Sequence, residues 1–339
     1  MTRYAFWNNK GGTGKTSLIF QTVLEHARRN PNSKILVIDL CPQANLSDLL
    51  FGGLLGNGAE NLNILHQQTP RKSVGGYFQS RISTPYTVPE INIDDYISIP
   101  NEFNSAVPPN IELLAGDQLV EVQTNSIATL SNTSLPGINP WLAVIDWIND
   151  FIKITDDKYR DVFIDTNPSF SIYTQIALAA AERLVLPVMA DDSSKRAIQN
   201  VFSLVHGIHI PTIYQESSFA TRLKSVERTL PLIHLIVKNR LTQYMGPASA
   251  YQSIFTSIDN YIKELMISHP KVFTFTDYQR DGVVEVRDFQ TTGVVAFAKG
   301  LPFRDTPTGK HEIFDRTPQV NQDFLNTCID AINAIVDRL

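Results

Sequence analysis

Tyr4-Ala5-Phe6-Trp7-Asn8-Asn9-Lys10-Gly11-Gly12-Thr13-Gly14-Lys15-Thr16-Ser17 is the stretch that decides the fold. Tyr4 to Trp7 is a short apolar run bounded by Asn8-Asn9, the pattern of a buried strand entering a glycine-rich turn. Beyond the turn, Ile19, Phe20, Val23, Leu24 and Ala27 recur at helical spacing until Asn30-Pro31 stops the pattern, so a helix is expected from Thr16 to Arg29. A strand that hands over to a helix through glycines is a setting in which a loop can cradle phosphate. Successive backbone N–H groups turn toward one anion, and the helix N-terminus adds its positive end. In that reading Lys15 reaches the β and γ phosphates of a nucleotide and the Thr16 hydroxyl holds Mg²⁺, with Gly11, Gly12, Thr13, Gly14 and Ser17 in the same cradle.

Outward from this unit the chain alternates. Ile35 to Ile38 is a wholly apolar strand ending at Asp39, as expected of a parallel strand buried on both faces. Trp141, Val144, Ile145, Ile148, Phe151 and Ile152 predict one amphipathic helix over 141–154, followed by a strand at Val162 to Asp165. Strands fit Leu184 to Val188 and Leu232 to Val237, with a helix beginning near Ser194, a variable connection around 211–231 and a last helix carrying Phe324, Leu325, Cys328, Ile329, Ile332, Ile335 and Val336 on one face. The fold class is α/β, a mostly parallel twisted sheet flanked by helices on both faces. Residues from about 52 to 140 differ in texture, being rich in Gly, Pro, Ser, Thr and Asn, and read as an excursion with only local structure. Within it Ile111 to Leu114 could be a strand, and Gly116-Asp117 could open a helix. No linker divides the chain, so residues 1–339 read as a single domain carrying this insertion.

Composition narrows the function classes. A hydrophobic content of 43% over 339 residues supports a substantial core. The 29 Lys and Arg against 34 Asp and Glu leave a formal net charge of −5, so no global positive field draws the chain to nucleic acid or anionic lipid. Two cysteines, Cys41 and Cys328, match no metal-ligand spacing or disulfide framework, and a reducing compartment is expected. No run approaches a membrane span, no signal-peptide core lies in residues 1–10, and no membrane anchor is evident, which predicts a soluble cytoplasmic protein.

Two details of the loop are informative. Asn9 takes the first glycine position of the general phosphate loop, and a second lysine, Lys10, precedes Gly11-Gly12. Lys10 lies too far round the loop to serve the same phosphate from the same side as Lys15, so it either addresses another subunit's nucleotide or is a solvated loop lysine. The Lys-Gly-Gly-x-Gly-Lys-Thr pattern resembles the deviant Walker A motif of the ParA/MinD family of P-loop ATPases. Asp39-Leu40-Cys41-Pro42-Gln43-Ala44-Asn45 is similar to that family's Asp-x-Asp-Pro-Gln-Gly-Asn, and Asp165-Thr166-Asn167-Pro168 to its Walker B end. Each puts a carboxylate at the C-terminal end of a strand, where an open α/β sheet presents its ligands. A strand-ending aspartate taken alone is also a common turn residue.

The resemblance implies an ATPase using ATP and Mg²⁺. In the family the first lysine crosses the interface of a nucleotide-sandwich homodimer, and Lys10 is the matching residue. Asp165 would orient the Mg²⁺ hydration shell, Asp39 would position water or metal, and Asn239 would either hydrogen-bond adenine or close its strand as a turn residue. The family's second aspartate, assigned to the attacking water, is Cys41 here. A thiol orders water poorly, and losing such a group lowers hydrolysis by about 10²–10⁴-fold. The ParA branch further implies nucleotide-switched, non-specific duplex DNA binding for partition of a DNA or protein cargo, nucleoid association, and a ParB-like partner that stimulates hydrolysis. The alternative is an ATP-switched regulator or positioning ATPase acting on a protein or membrane target without DNA. A MinD-type membrane tail is disfavoured by the lysine-poor last helix. The segment at 52–140 is atypical of the compact family members.

Overall fold

The computed structural model describes residues 1–155, 158–191, 193–241 and 249–339. At its centre is β1 (Thr2–Phe6), followed by α1 (Lys15–Arg29) and β2 (Ile35–Asp39). Between β2 and the next central strand lie α2 (Asn45–Leu50), α3 (Gly58–His66), α4 (Val74–Ser83), β3 (Ile97–Ser98), β4 (Ile111–Leu114), α5 (Leu119–Asn132), α6 (Pro140–Ile145) and α7 (Trp147–Ile154). The chain continues through β5 (Asp161–Asp165), α8 (Ile172–Ala180), β6 (Arg183–Val188), α9 (Ser194–His206), α10 (Phe219–Lys224) and β7 (Leu232–Leu241). It ends with α11 (Ser249–Ser268), β8 (Val283–Arg287), α12 (Gln290–Ala298) and α13 (Gln322–Val336). The sheet has eight strands in the order β3-β4-β2-β5-β1-β6-β7-β8. Only the edge pair β3–β4 is antiparallel.

Alternation within the strands assigns the two faces. Tyr4, Phe6, Ile35 and Val37 point into a core shared with α1, α2, α12 and α13, whereas Ala5, Trp7, Leu36 and Ile38 point into one shared with α4 to α9 and α11. Strands buried on both faces must be apolar throughout, which is why these segments carry no polar alternation. The chain leaves β1 for one half of the sheet (β2, β4, β5) and later fills the other (β6, β7, β8). The loop after β1 therefore opens at the point where strand order reverses, the place where doubly wound sheets leave a crevice.

Two segments differ from their sequence reading. Residues 52–140 are built into the sheet through β3 and β4. Backbone bonds tie them in, Ile35 N–H to Asn110 O at 3.0 Å among them. Helix α5 buries Gln123 and Ser131 beside Val120 and Ile127, so its inward face lacks a continuous apolar stripe. The helix expected over 141–154 is two helices meeting at Asp146, whose carboxylate is taken by Arg228 and the Asn149 amide. The break lets the Trp147 indole N–H donate to Pro85 O at 3.0 Å while its own carbonyl accepts the Tyr77 hydroxyl at 2.6 Å.

Candidate functional site

The loop between β1 and α1 is held from several sides. Asn8 donates its amide to Pro187 O at 2.6 Å and accepts the Lys10 N–H at 3.1 Å, which fixes the turn against β6. Gly12 and Gly14 have φ of +74° and +83°, a region that costs an L-residue about 1–2 kcal/mol. Gly14 is also close-packed, since a Cβ there would lie 2.2 Å from the Asn239 amide nitrogen. That amide donates to Thr13 O at 2.8 Å, so the end of β7 clamps the loop.

Lys15 is almost fully buried and folds back to donate to Lys10 O at 3.2 Å. Burial pulls its ammonium below the usual lysine range, against the attraction of Asp165. The Thr16 hydroxyl donates to Asp165 Oδ2 at 2.9 Å, and Thr166 N–H donates to Asp165 Oδ1 at 2.9 Å. Asp39 pairs in register with Asp165 across β2 and β5. It accepts Cys41 N–H at 3.1 Å, Ser47 N–H at 3.0 Å and the Ser47 hydroxyl at 2.8 Å. Both carboxyls are wholly buried. Burial raises Asp39 to about 6, against its hydrogen bonds from Ser47 and Cys41. Burial, and then repulsion from Asp39, raises Asp165 to about 7.

Two buried acids held above their usual range beside a hydroxyl and a lysine form a site that gains from a cation. The donor set fits Mg²⁺, which binds through one or two carboxylates together with water and substrate phosphate. Among the described residues no group of three or more His, Cys, Asp or Glu could hold a metal by itself, so phosphate would have to complete the shell.

Lys10 is ion-paired with Asp191 of the same chain, just before α9. Burial would raise the Asp191 carboxyl, but bonds from Lys10, Ser193 and Ser194 outweigh it and hold it low. Beside the loop lies a cleft of about 220 Å³ lined by Gly14, Ser17, Asn239, Arg240, Phe289 and Phe297. A larger cavity of about 400 Å³, between Lys34, Glu112, Lys158 and Phe103, opens at the opposite end of the strands and is not part of this site.

Every residue singled out from the sequence thus falls in one crevice: the loop 10–17, Asp39, Asp165 and Asn239. Sequence reasoning missed Ser47, whose hydroxyl links Asp39 to Gly116 N–H at 2.8 Å, and Asp191. A serine within the second motif was a visible signal for the first, whereas nothing local marks Asp191.

Strand, glycine loop, helix and two strand-ending carboxylates define a P-loop ATPase. The sequence matches the AAA domain family over residues 1–216, and the chain belongs to that family. It is a P-loop ATPase of the ParA/MinD type. Among curated proteins none matches the sequence. Solved structures share the fold. A variant of McdA from Cyanothece in complex with ATP is 13% identical with a TM-score of 0.60, covering 99% of this chain and 96% of its own. A plasmid partition protein from Borrelia burgdorferi bound to AMPPNP is 14% identical with a TM-score of 0.55, covering 100% and 99%. The pNOB8 ParA bound to nonspecific DNA is 17% identical with a TM-score of 0.50, covering 84% and 85%. Among the described residues no helix is long and apolar enough to cross a membrane.

Proposed function

We propose that residues 1–339 form one ATP-dependent, dimerising ATPase domain of ParA type, in which ATP switches on non-specific DNA binding for partition or positioning of a DNA or protein cargo. The observation that carries the reading is the junction of Thr16, Asp165 and Asp39 at the mouth of the glycine loop. ATP would lie with its phosphates over the N–H groups of residues 11–17 and its base in the cleft between Asn239 and Phe289. Lys15 would turn from Lys10 O to the phosphates, Thr16 and Asp165 would hold Mg²⁺, and Asp39 would support them. Bound there, Mg²⁺ supplies charge neutralisation of the phosphates.

Lys10 leaves Asp191 when the dimer closes and reaches the partner's nucleotide. Cys41 in the place of the family's aspartate makes hydrolysis slow and the closed state long-lived, until a ParB-like protein stimulates turnover. With a net charge of −5 the DNA face must be local, and a DNA-bound form would sit on the nucleoid. The pNOB8 ParA, solved on nonspecific DNA, supports this reading by its fold alone.

Cys41 also favours a second reading, in which ATP is a long-lived ligand and the closed dimer acts on a protein target without DNA. Both are tested by binding to random-sequence duplex DNA at two salt concentrations, with ATP·Mg²⁺, ADP·Mg²⁺ or no nucleotide. Light scattering reports mass, and Lys15→Ala is the control. ATP-specific, salt-sensitive binding by a dimer is the expected result. Dimerisation without DNA binding selects the second reading, and absence of both refutes the switch.

A further inference from the structure

The segment after β2 raises the question of which group orders the water that attacks ATP; the answer rests on the ATPase reading above. Leu40 N–H donates to Asp165 O at 3.0 Å, so Cys41 stands one residue beyond the rim where Thr16 meets Asp165. Cys41-Pro42-Gln43-Ala44 is a tight turn closed by Ala44 N–H to Cys41 O at 2.9 Å, with proline at its second position fixing the backbone. Ala44 follows at a φ of +53°, left-handed backbone that an alanine adopts only at a cost. Such strain persists where surrounding bonds impose it, and here Asp39 and Ser47 do so.

The polar groups of this rim are unequal. Asp39 is sealed and accepts from three donors. Asp165 is sealed and accepts from Thr16 and Thr166. The Cys41 sulfur is a weak acceptor, and its S–H donates to Gln43 Oε1 at 3.6 Å. Gln43 is exposed, and its amide offers two N–H donors and a second oxygen lone pair beside that contact.

We propose that Gln43, steadied by the Cys41 thiol, orients the attacking water in the place of the missing aspartate. The water oxygen bonds to Pγ as the bond from Pγ to the β–γ bridging oxygen breaks. ADP leaves with that electron pair, and the water's proton passes to a phosphoryl oxygen of the product phosphate. Gln43 holds the water through its amide and takes no proton, so this chain needs no strong base in the turn.

The experiment is steady-state ATP hydrolysis by the full chain with Mg²⁺, beside binding of a fluorescent ATP analogue. Gln43→Ala and the shorter Gln43→Asn should lower kcat about 10²-fold with KM and Kd unchanged within about twofold. Gln43→Glu keeps an oxygen at the same reach and should retain more activity than either. In a Cys41→Asp background the loss on Gln43→Ala should shrink below about tenfold, since the new carboxylate takes over the water. Wild-type turnover unaffected by Gln43→Ala, or a loss shared equally by kcat and binding, overturns this role alone. A chain that binds ATP yet shows no turnover, Cys41→Asp included, overturns the hydrolytic reading and this role with it.

Discussion

Asp165→Asn separates charge from bonding at the centre of the site. An asparagine there can keep both hydrogen bonds: its oxygen accepts Thr166 N–H, and its amide donates to the Thr16 hydroxyl, which turns to accept. What it removes is a wholly buried carboxyl raised by desolvation, and then by Asp39, from 3.8 to about 7. A carboxyl raised on folding binds more protons folded than unfolded, so stability falls as pH rises from about 4 to about 7 and stays low above. The full difference corresponds to roughly 4 kcal/mol, and the part between pH 5 and 7 to roughly 2 kcal/mol. Lost attraction to Lys15 offsets some of it, while the repulsion between Asp165 and Asp39 disappears with the charge. Urea unfolding of both chains at pH 5, 6, 7 and 8, with EDTA and without nucleotide, measures the effect. Asparagine at 165 should gain about 2–3 kcal/mol on the wild type between pH 5 and 8, groups common to both cancelling. With ATP and Mg²⁺ at pH 8 the order should reverse, because the wild type then has its cation. Parallel stability profiles across that pH range would refute the buried-charge argument.

Gly14→Ala places a Cβ 2.2 Å from the Asn239 amide at a φ of +83°. Left-handed strain and loss of the Thr13 bond should together cost roughly 2–4 kcal/mol in urea unfolding and weaken nucleotide binding. Ala44→Gly relieves the φ of +53° and should stabilise the chain by about 1 kcal/mol, read the same way. Cys41→Asp should raise kcat about 10²-fold in a phosphate-release assay, and an unchanged kcat means that the thiol is not what slows hydrolysis. Lys10→Ala should leave ATP binding by the monomer intact but abolish the ATP-dependent rise in mass seen by light scattering; persistence of that rise would leave Lys10 as a loop lysine paired to Asp191.

The central strands were legible because both of their faces are covered: Ile35 to Ile38 and Val162 to Ile164 are apolar without interruption, and a carboxylate follows each. The phosphate loop was legible because its geometry is local, each glycine answering to the next few atoms of backbone. Less legible were features fixed by distant partners. Asp146 breaks a helix whose apolar pattern runs straight through it, because Arg228 lies against it in space. The Asp191 contact with Lys10 joins residues 181 apart in the sequence. Strand β3 has two residues, too few for any period to show.

The same distinction explains why 52–140 looked loose and is not. Its cohesion is long-range: Val74, Tyr77, Phe78, Val120 and Ile127 are buried in the core, and polar contacts distant in sequence add to them. Asp117 is sealed beneath Arg71 and the Ser73 hydroxyl, and the His66 imidazole meets Gly116 O at 2.9 Å. Gly116 then closes on the site itself, its N–H on the Ser47 hydroxyl that also serves Asp39. A Cβ at Gly116 would lie 2.8 Å from both the Asp39 carboxyl carbon and the Ala44 methyl. Only glycine permits that approach, so a residue that reads from the sequence as a loop former is the point where this segment presses on the carboxylate pair. His66 on Gly116 O, Gly116 N–H on the Ser47 hydroxyl and that hydroxyl on Asp39 thus form an unbroken line of contacts from this segment to the phosphate site.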